Sequence, residues 1–152
     1  MMRLILMPDF IQLAKTTAAS HGLQPELVCA VCEQESAWNP WAIRCEPAFK
    51  AHYIDGDPIL GQLSDTEAWS RSFSWGLMQV LGEVARELGF SRPHFVSELC
   101  DPVVGLEYGC KHLANKMKQA GGDITKALLL WNGGGNKEYP TQVIARMVKY
   151  AQ

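Results

Sequence analysis

A chain of 152 residues, 47% hydrophobic and 20% charged, has the length and composition of one globular domain able to bury roughly 68–70% of its unfolded surface. Its formal net charge of −2 excludes a broad electrostatic grip on nucleic acid or anionic membranes. No stretch approaches the ~20 apolar residues needed to cross a bilayer, so no membrane insertion is expected.

The chain opens M-M-R-L-I-L-M at Met1–Met7, with an apolar run of about four residues before Pro8-Asp9. A signal peptide needs ~7–15, so the reading expects a chain made in the cytoplasm. Residues 8–21 read as a first helix, with Phe10, Leu13, Ala14 and Thr17 on one face and Gly22 as its stop. Pro25 opens a second helix over about 25–37, where Leu27, Val28, Val31 and Cys32 recur at helical spacing. Glu35 follows seven residues after Val28, which returns it to within ~20° of Val28 around the helix. A carboxylate thus falls on the buried face of its own helix, near the C-terminus. Desolvation and the negative end of the helix dipole both raise the pKa of such a group. A raised carboxyl pKa is what a general acid working near neutral pH requires. The alternative is a buried Glu satisfied by backbone or by an Arg. Glu33 is expected to point to solvent, and Asn39-Pro40 to end the helix.

Five cysteines, Cys29, Cys32, Cys45, Cys100 and Cys110, suggest free thiols in the absence of an export signal. Cys29-x-x-Cys32 invites a zinc or redox reading with His112 near Cys110, but it sits mid-helix without a second such pair. Core packing is the preferred role, with no metal and no cofactor.

From Trp38 to Arg71, Pro40, Pro47, Gly56, Pro58 and Gly61 break the pattern. Short helices are expected around 47–53 and 66–71, with a turn at Asp55–Pro58 and room for a small hairpin. A helix is predicted over about 75–88 from Leu77, Val80, Leu81, Val84 and Leu88, and a short turn over 95–100. Asp101-Pro102 starts the longest helix, which runs to about Gln119 and carries Val103, Leu106, Cys110, Leu113 and Met117 as its stripe. Asp123 caps a helix over 124–132 whose A-L-L-L-W run is apolar on most sides, which predicts a central place in the domain. The last helix runs from about Pro140 to Tyr150. The reading is one mainly α domain of about seven or eight helices, with at most a marginal β-hairpin, acting as a monomer.

Three segments stand in order: E-S-A-W-N-P at Glu35–Pro40, S-W-G-L-M-Q at Ser74–Gln79 and W-N-G-G at Trp131–Gly134. Together they resemble the motifs of the soluble lytic transglycosylase family, the bacterial and phage branch of the lysozyme-like superfamily, over roughly residues 24–150. The resemblance implies a single lysozyme-like domain with a substrate groove. It implies cleavage of the β-1,4 bond between N-acetylmuramic acid and N-acetylglucosamine in peptidoglycan glycan strands. The single catalytic glutamate of the family matches Glu35, acting first as acid and then as base to leave a 1,6-anhydro sugar. The resemblance gives Gln79 a bond to sugar or to Glu35 and places Met78 on the groove floor. Ser74, with Ser72 in reserve for register, would bond Glu35 or an acetamido group, and Asn132 the substrate's N-acetyl group. Sugars present flat apolar faces on which aromatic rings stack, so Trp75 and Trp131 are expected in subsites. Taken alone, Met78 suits a core, Gln79 a solvated helix face and Gly133–Gly135 a turn.

The chain departs from the family in three respects. Trp131 stands where the family has Tyr, and it can donate a hydrogen bond but not accept one; Tyr139 is the candidate to substitute. The segment of roughly 45–71 is longer than is common and holds Glu46, the first candidate for a second carboxylate. With it the enzyme would be a hydrolytic muramidase, since retaining and inverting glycosidases place a second acid ~5–5.5 Å or ~6.5–9.5 Å from the first. The third departure is the missing export signal, which leads to an expectation of action on the cell wall after holin-type release or as part of a phage particle. A non-catalytic glycan-binding or phage structural domain is the alternative of another class.

Overall fold

The computed structural model describes residues 9–151, so the readings of Met1–Met7 and of Pro8 as a helix start lie outside the described residues. The centre of the fold is α2 (Pro25–Ser36). Six consecutive residues, Leu27–Cys32, are buried, so this helix is covered on all sides in its first two turns. It packs on α1 (Phe10–Ser20) and on α8 (Tyr139–Met147) with the 3-10 turn Val148–Tyr150 that follows. α1 in turn meets α6 (Pro102–Gln119), α6 meets α7 (Ile124–Asn132), and α7 meets α8. Five helices thereby close a ring around Val28, Val31, Leu106, Leu113, Leu128 and Val143. Aspartates 9, 101 and 123 each cap a helix of this ring by accepting hydrogen bonds from first-turn amides.

The other lobe is built from short pieces. β1 (Ile43–Cys45) is followed by α3 (Pro47–Phe49), which runs into a π-helical turn at Lys50–Ile54; then come α4 (Asp65–Arg71), β2 (Phe73–Trp75), β3 (Val80–Leu81) and α5 (Gly82–Glu87). The strands form one antiparallel sheet in the order β1-β2-β3, with Arg44 opposite Ser74 and Ser74 opposite Leu81. The molecule is mainly α, with eight α-helices and a minor open sheet among the described residues, a lysozyme-like arrangement.

Four local expectations are corrected. The helix predicted over 75–88 exists only as α5; positive φ at Gly76 (74°) and Gln79 (51°) makes a turn instead, and the residues before it pair as β2. The apolar run keeps a helical spacing because Leu77, Met78 and Val80 are all buried by other elements, at 1%, 0% and 2% exposure. α2 ends before Asn39-Pro40, because Ala37 and Trp38 adopt left-handed φ of 48° and 64°. α7 is not central: Ala127 and Leu128 are buried, but Leu130 is exposed. Glu33 is not solvated. It accepts hydrogen bonds from Arg146 (2.8 Å), Lys149 (2.6 Å) and the Tyr150 hydroxyl (2.5 Å), which pins α2 to α8 and the turn beyond it.

The sheet lobe has its own polar lock. Glu67 on α4 accepts from Arg71 Nε (2.9 Å) and from Arg86 Nε (2.7 Å) on α5, while Arg86 also donates to the carbonyls of Phe90 and His94. Burial pushes the Glu67 carboxyl up, but the hydrogen bonds and charges of Arg86 and Arg71 outweigh it and hold the group below its ordinary value of 4.5. A carboxyl depressed on folding contributes stability above its unfolded pKa, and that stability is lost as pH falls through the folded value. Glu67→Gln is expected to lower stability by ~2 kcal/mol at neutral pH and by less near pH 3; thermal melts of both proteins at the two pH values check this.

Candidate active site

A groove of about 650 Å³ runs between the helical ring and the sheet lobe. Glu35 reaches it from the last turn of α2, Trp131 and Asn132 from the end of α7, and Tyr139 from the start of α8. α7 ends because Gly133 takes a left-handed φ of 72° as its cap. The loop that follows is tied by Asn132 Nδ2 donating to the Asn136 carbonyl at 3.0 Å. That carbonyl also accepts from the Tyr139 backbone amide, so the loop delivers Tyr139 to the groove wall.

Two donors meet on one oxygen of Glu35. Trp131 Nε1–H donates to Oε1 at 3.0 Å and the Tyr139 hydroxyl donates to the same atom at 2.5 Å. Burial and the neighbouring Glu35 charge push the Tyr139 phenol far above its ordinary range, so it remains a donor at all working pH values. Oε2 has no partner among the described residues, none of which buries an unsatisfied side-chain polar atom, so Oε2 opens on the groove. With Oε1 accepting twice, a proton on this carboxyl sits on Oε2, facing whatever occupies the groove. Among the described residues no cation pairs with Glu35.

The second motif forms the wall beside it. Ser36, next to Glu35, donates from Oγ to the Leu77 carbonyl at 2.8 Å, which joins the two segments directly. Gly76 admits no side chain: a Cβ there would lie 2.4 Å from the Leu99 carbonyl oxygen, on a backbone with φ of 74°. Gln79 lines the groove and spends its amide nitrogen on the carbonyls of Ala42 and Gly76. Ser74 lines the groove too, but makes no bond to Glu35; its hydroxyl has no partner among the described residues. Ser72 is turned away, donating to the Ala68 carbonyl. Two residues expected at the substrate do not line the groove. Met78 is fully buried and packs on Gly109, where a Cβ would meet its sulfur at 2.3 Å. Trp75 donates to the Ser70 carbonyl and packs on Phe73.

Glu46 faces the groove and is held by Arg44, whose Nε donates to it at 2.6 Å. Cys29, Cys32 and Cys110 are buried free thiols, and burial pushes all three up, Cys29 to about 11 and Cys110 to about 12. Among the described residues no three His, Cys, Asp or Glu side chains converge to hold a metal ion.

Sequence reasoning missed Ser36, Arg44 and His112. His112 lines the groove with its ring 5.2 Å from that of Trp131. Its signal was a polar residue set between Cys110 and Leu113 of an apolar stripe, which the zinc reading absorbed.

A helical ring and a sheet lobe with a groove between them, and Glu35 reaching that groove from a central helix, form a lysozyme-like arrangement. The chain matches the family described as Transglycosylase SLT domain over residues 12–143, and it belongs to that family. Membership in that family supports a glycan-cleaving activity of the lytic transglycosylase type and implies the peptidoglycan glycan strand as substrate. No solved structure matches the chain.

Burial pushes the His112 imidazole down to about 4, and the Lys116 charge adds to this. The ring beside Trp131 is therefore neutral across the physiological range. NMR titration of the imidazole protons is expected to show one histidine that stays neutral until about pH 4, and His112→Gln is expected to remove that resonance.

Proposed function

We propose that the protein cleaves the β-1,4 bond between N-acetylmuramic acid and N-acetylglucosamine without consuming water. Glu35 serves as the only acid and base. The observation that carries this reading is the asymmetry of the Glu35 carboxyl: Oε1 accepts from Trp131 and Tyr139 while Oε2 faces the groove. The proton on Oε2 passes to the glycosidic oxygen as the bond to C1 breaks. The 2-acetamido group of the muramic acid supports the charge that develops at C1. The carboxylate left behind is stabilised by the two donors on Oε1, so the bonds that orient the acid also support its ionised form. It then takes the proton of the muramic acid C6 hydroxyl, whose oxygen bonds to C1. The carboxyl is regenerated and the product ends in a 1,6-anhydro ring.

Gln79, Ser74 and Asn132 are read as substrate-binding residues along this groove, with Trp131 and Tyr139 serving Glu35 itself. Ser74 fits the role because its hydroxyl opens on the groove unengaged. A hydrolytic muramidase is the second reading, and the observation in its favour is that Glu46 lines the same groove. Against it, Glu46 already gives one oxygen to Arg44 at 2.6 Å.

Digestion of purified peptidoglycan separates the two. Glu35→Gln is expected to lose activity by ~10²–10⁴-fold, whereas Glu46→Gln is expected to keep kcat within about threefold of the wild type. Loss in Glu46→Gln comparable to that in Glu35→Gln would favour the hydrolase. Tyr139→Phe removes one of the two donors and is expected to lower kcat about tenfold, equivalent to ~1.4 kcal/mol, with KM little changed. Steady-state kinetics on soluble glycan strands measure it.

A further inference from the structure

Arg44 has no place in the mechanism, yet its geometry is that of a recognition residue. It sits in β1 directly opposite Ser74 in β2, and cross-strand partners project from the same face of a sheet. Both line the groove, as does Glu46, two residues on from Arg44 in the chain. The groove wall on the sheet side is therefore a row of polar side chains, and among its described residues Arg44 is the only permanent cation.

A guanidinium carries five N–H donors. Glu46 engages one of them, on Nε, and the terminal nitrogens have no partner among the described residues. The Arg44 side chain is 67% exposed, so an ion pair of this kind adds little to stability. What it does is fix direction: the carboxylate of Glu46 holds the inner edge of the guanidinium and leaves its outer fork free. A planar fork with two parallel N–H groups matches a carboxylate. No other cation lines the groove among the described residues, so an anionic group on a ligand has one favourable place to dock.

We propose that Arg44 is a specificity-determining residue that binds a carboxylate carried by the muramic acid side of the substrate. Glu46 acts on it as a positioning residue. The proposal rests on the glycan-cleavage reading. Glycan strands of peptidoglycan are neutral along the sugar chain; their carboxylates are those of the peptide where one is attached, and the lactyl carboxylate of muramic acid where none is. Either source presents the same chemistry to Arg44. It would also separate a strand that carries muramic acid from one made of N-acetylglucosamine alone.

The test compares wild type, Arg44→Gln, Arg44→Lys and Glu46→Gln on soluble peptide-bearing glycan strands, before and after carbodiimide amidation of the strand carboxylates. Thermal melts confirm that each variant is folded. On the untreated strands Arg44→Gln is expected to raise KM roughly tenfold, the effect of losing one charge-assisted contact, with kcat within twofold of the wild type. Glu46→Gln is expected to raise KM by a smaller factor, again without loss of kcat. Arg44→Lys is expected to recover part of the loss, since it keeps the charge but not the fork. On amidated strands wild type and Arg44→Gln are expected to have the same KM. A tenfold difference that survives amidation, or a loss confined to kcat, would overturn the proposal. On peptide-bearing strands the carboxylates belong to the peptide, because the lactyl carboxyl is tied up in the amide bond to it. Removing the peptide frees the lactyl carboxylate, so a KM difference between wild type and Arg44→Gln on stripped strands shows that Arg44 also binds that group, and equal KM values there confine the binding to the peptide. Failure of wild type to cleave any of these strands would instead count against the glycan-cleavage reading.

Discussion

The two hydrogen bonds that converge on Oε1 of Glu35 make demands on most of the helical ring. They require α7 to end where Trp131 can turn inward and α8 to begin where Tyr139 can reach the same oxygen. Both helices must then be held against α2 within a fraction of an ångström, because a hydrogen bond weakens steeply outside its distance and angle. Glu33 supplies that restraint for α8. It lies two residues before Glu35 on α2 and collects Arg146, Lys149 and Tyr150 from the C-terminal elements. Gln34 extends the same contact, accepting from Arg146 Nε and donating to Gln142. Three consecutive residues thus divide the work: Glu33 and Gln34 fix α8, and Glu35 receives what α8 carries. The hydrogen bonds that Lys149 and Tyr150 donate to Glu33, with the charges of Lys149 and Arg146, hold its carboxyl below its ordinary range, so the clamp stays ionised near neutral pH.

The sheet lobe is attached to this machinery at few points, each enforced by a local constraint. Ser36 bonds the Leu77 carbonyl across the base of the groove. Gly76 lets the turn pass against the Leu99 carbonyl, and Gln79 binds that turn back onto itself and onto Ala42. Behind the sheet, Glu67, Arg71, Glu83 and Arg86 lock α4 to α5. The result is a wall whose backbone is held from behind while its groove face keeps unengaged polar groups, the Ser74 hydroxyl and the outer nitrogens of Arg44. That combination suits a polymer that must slide in, be gripped and leave.

Much of the helical half was legible in the sequence. Aspartate caps, a proline at the first position of α2 and α6 and glycine after α7 marked boundaries that the structure reproduces. The ordered motifs pointed to Glu35, and the tyrosine that the resembled family has where Trp131 stands led to Tyr139 as its substitute. Where the reading failed, the cause was tertiary. Leu77, Met78 and Val80 keep a helical spacing because different neighbours bury them, and two residues with positive φ turn the chain before a helix can form. Met78, assigned to the groove by analogy, is buried against Gly109, a contact between segments far apart in the chain. Glu33 was read as solvated because its partners lie more than a hundred residues away, beyond the reach of any local pattern. Arg44 was passed over because β1 finds its partner only after the long excursion through α3 and α4.

The claim that a single carboxyl performs both proton transfers, with the sugar's own hydroxyl in place of water, is tested most directly by digestion in ¹⁸O-labelled water. Mass spectrometry of the released glycan ends reads the outcome. The expected result is fragments one water lighter than hydrolytic products, with no ¹⁸O at the muramic acid C1. Reducing ends that each carry one ¹⁸O atom would show that water attacks C1, and would contradict the assignment of Glu35 as the lone acid and base.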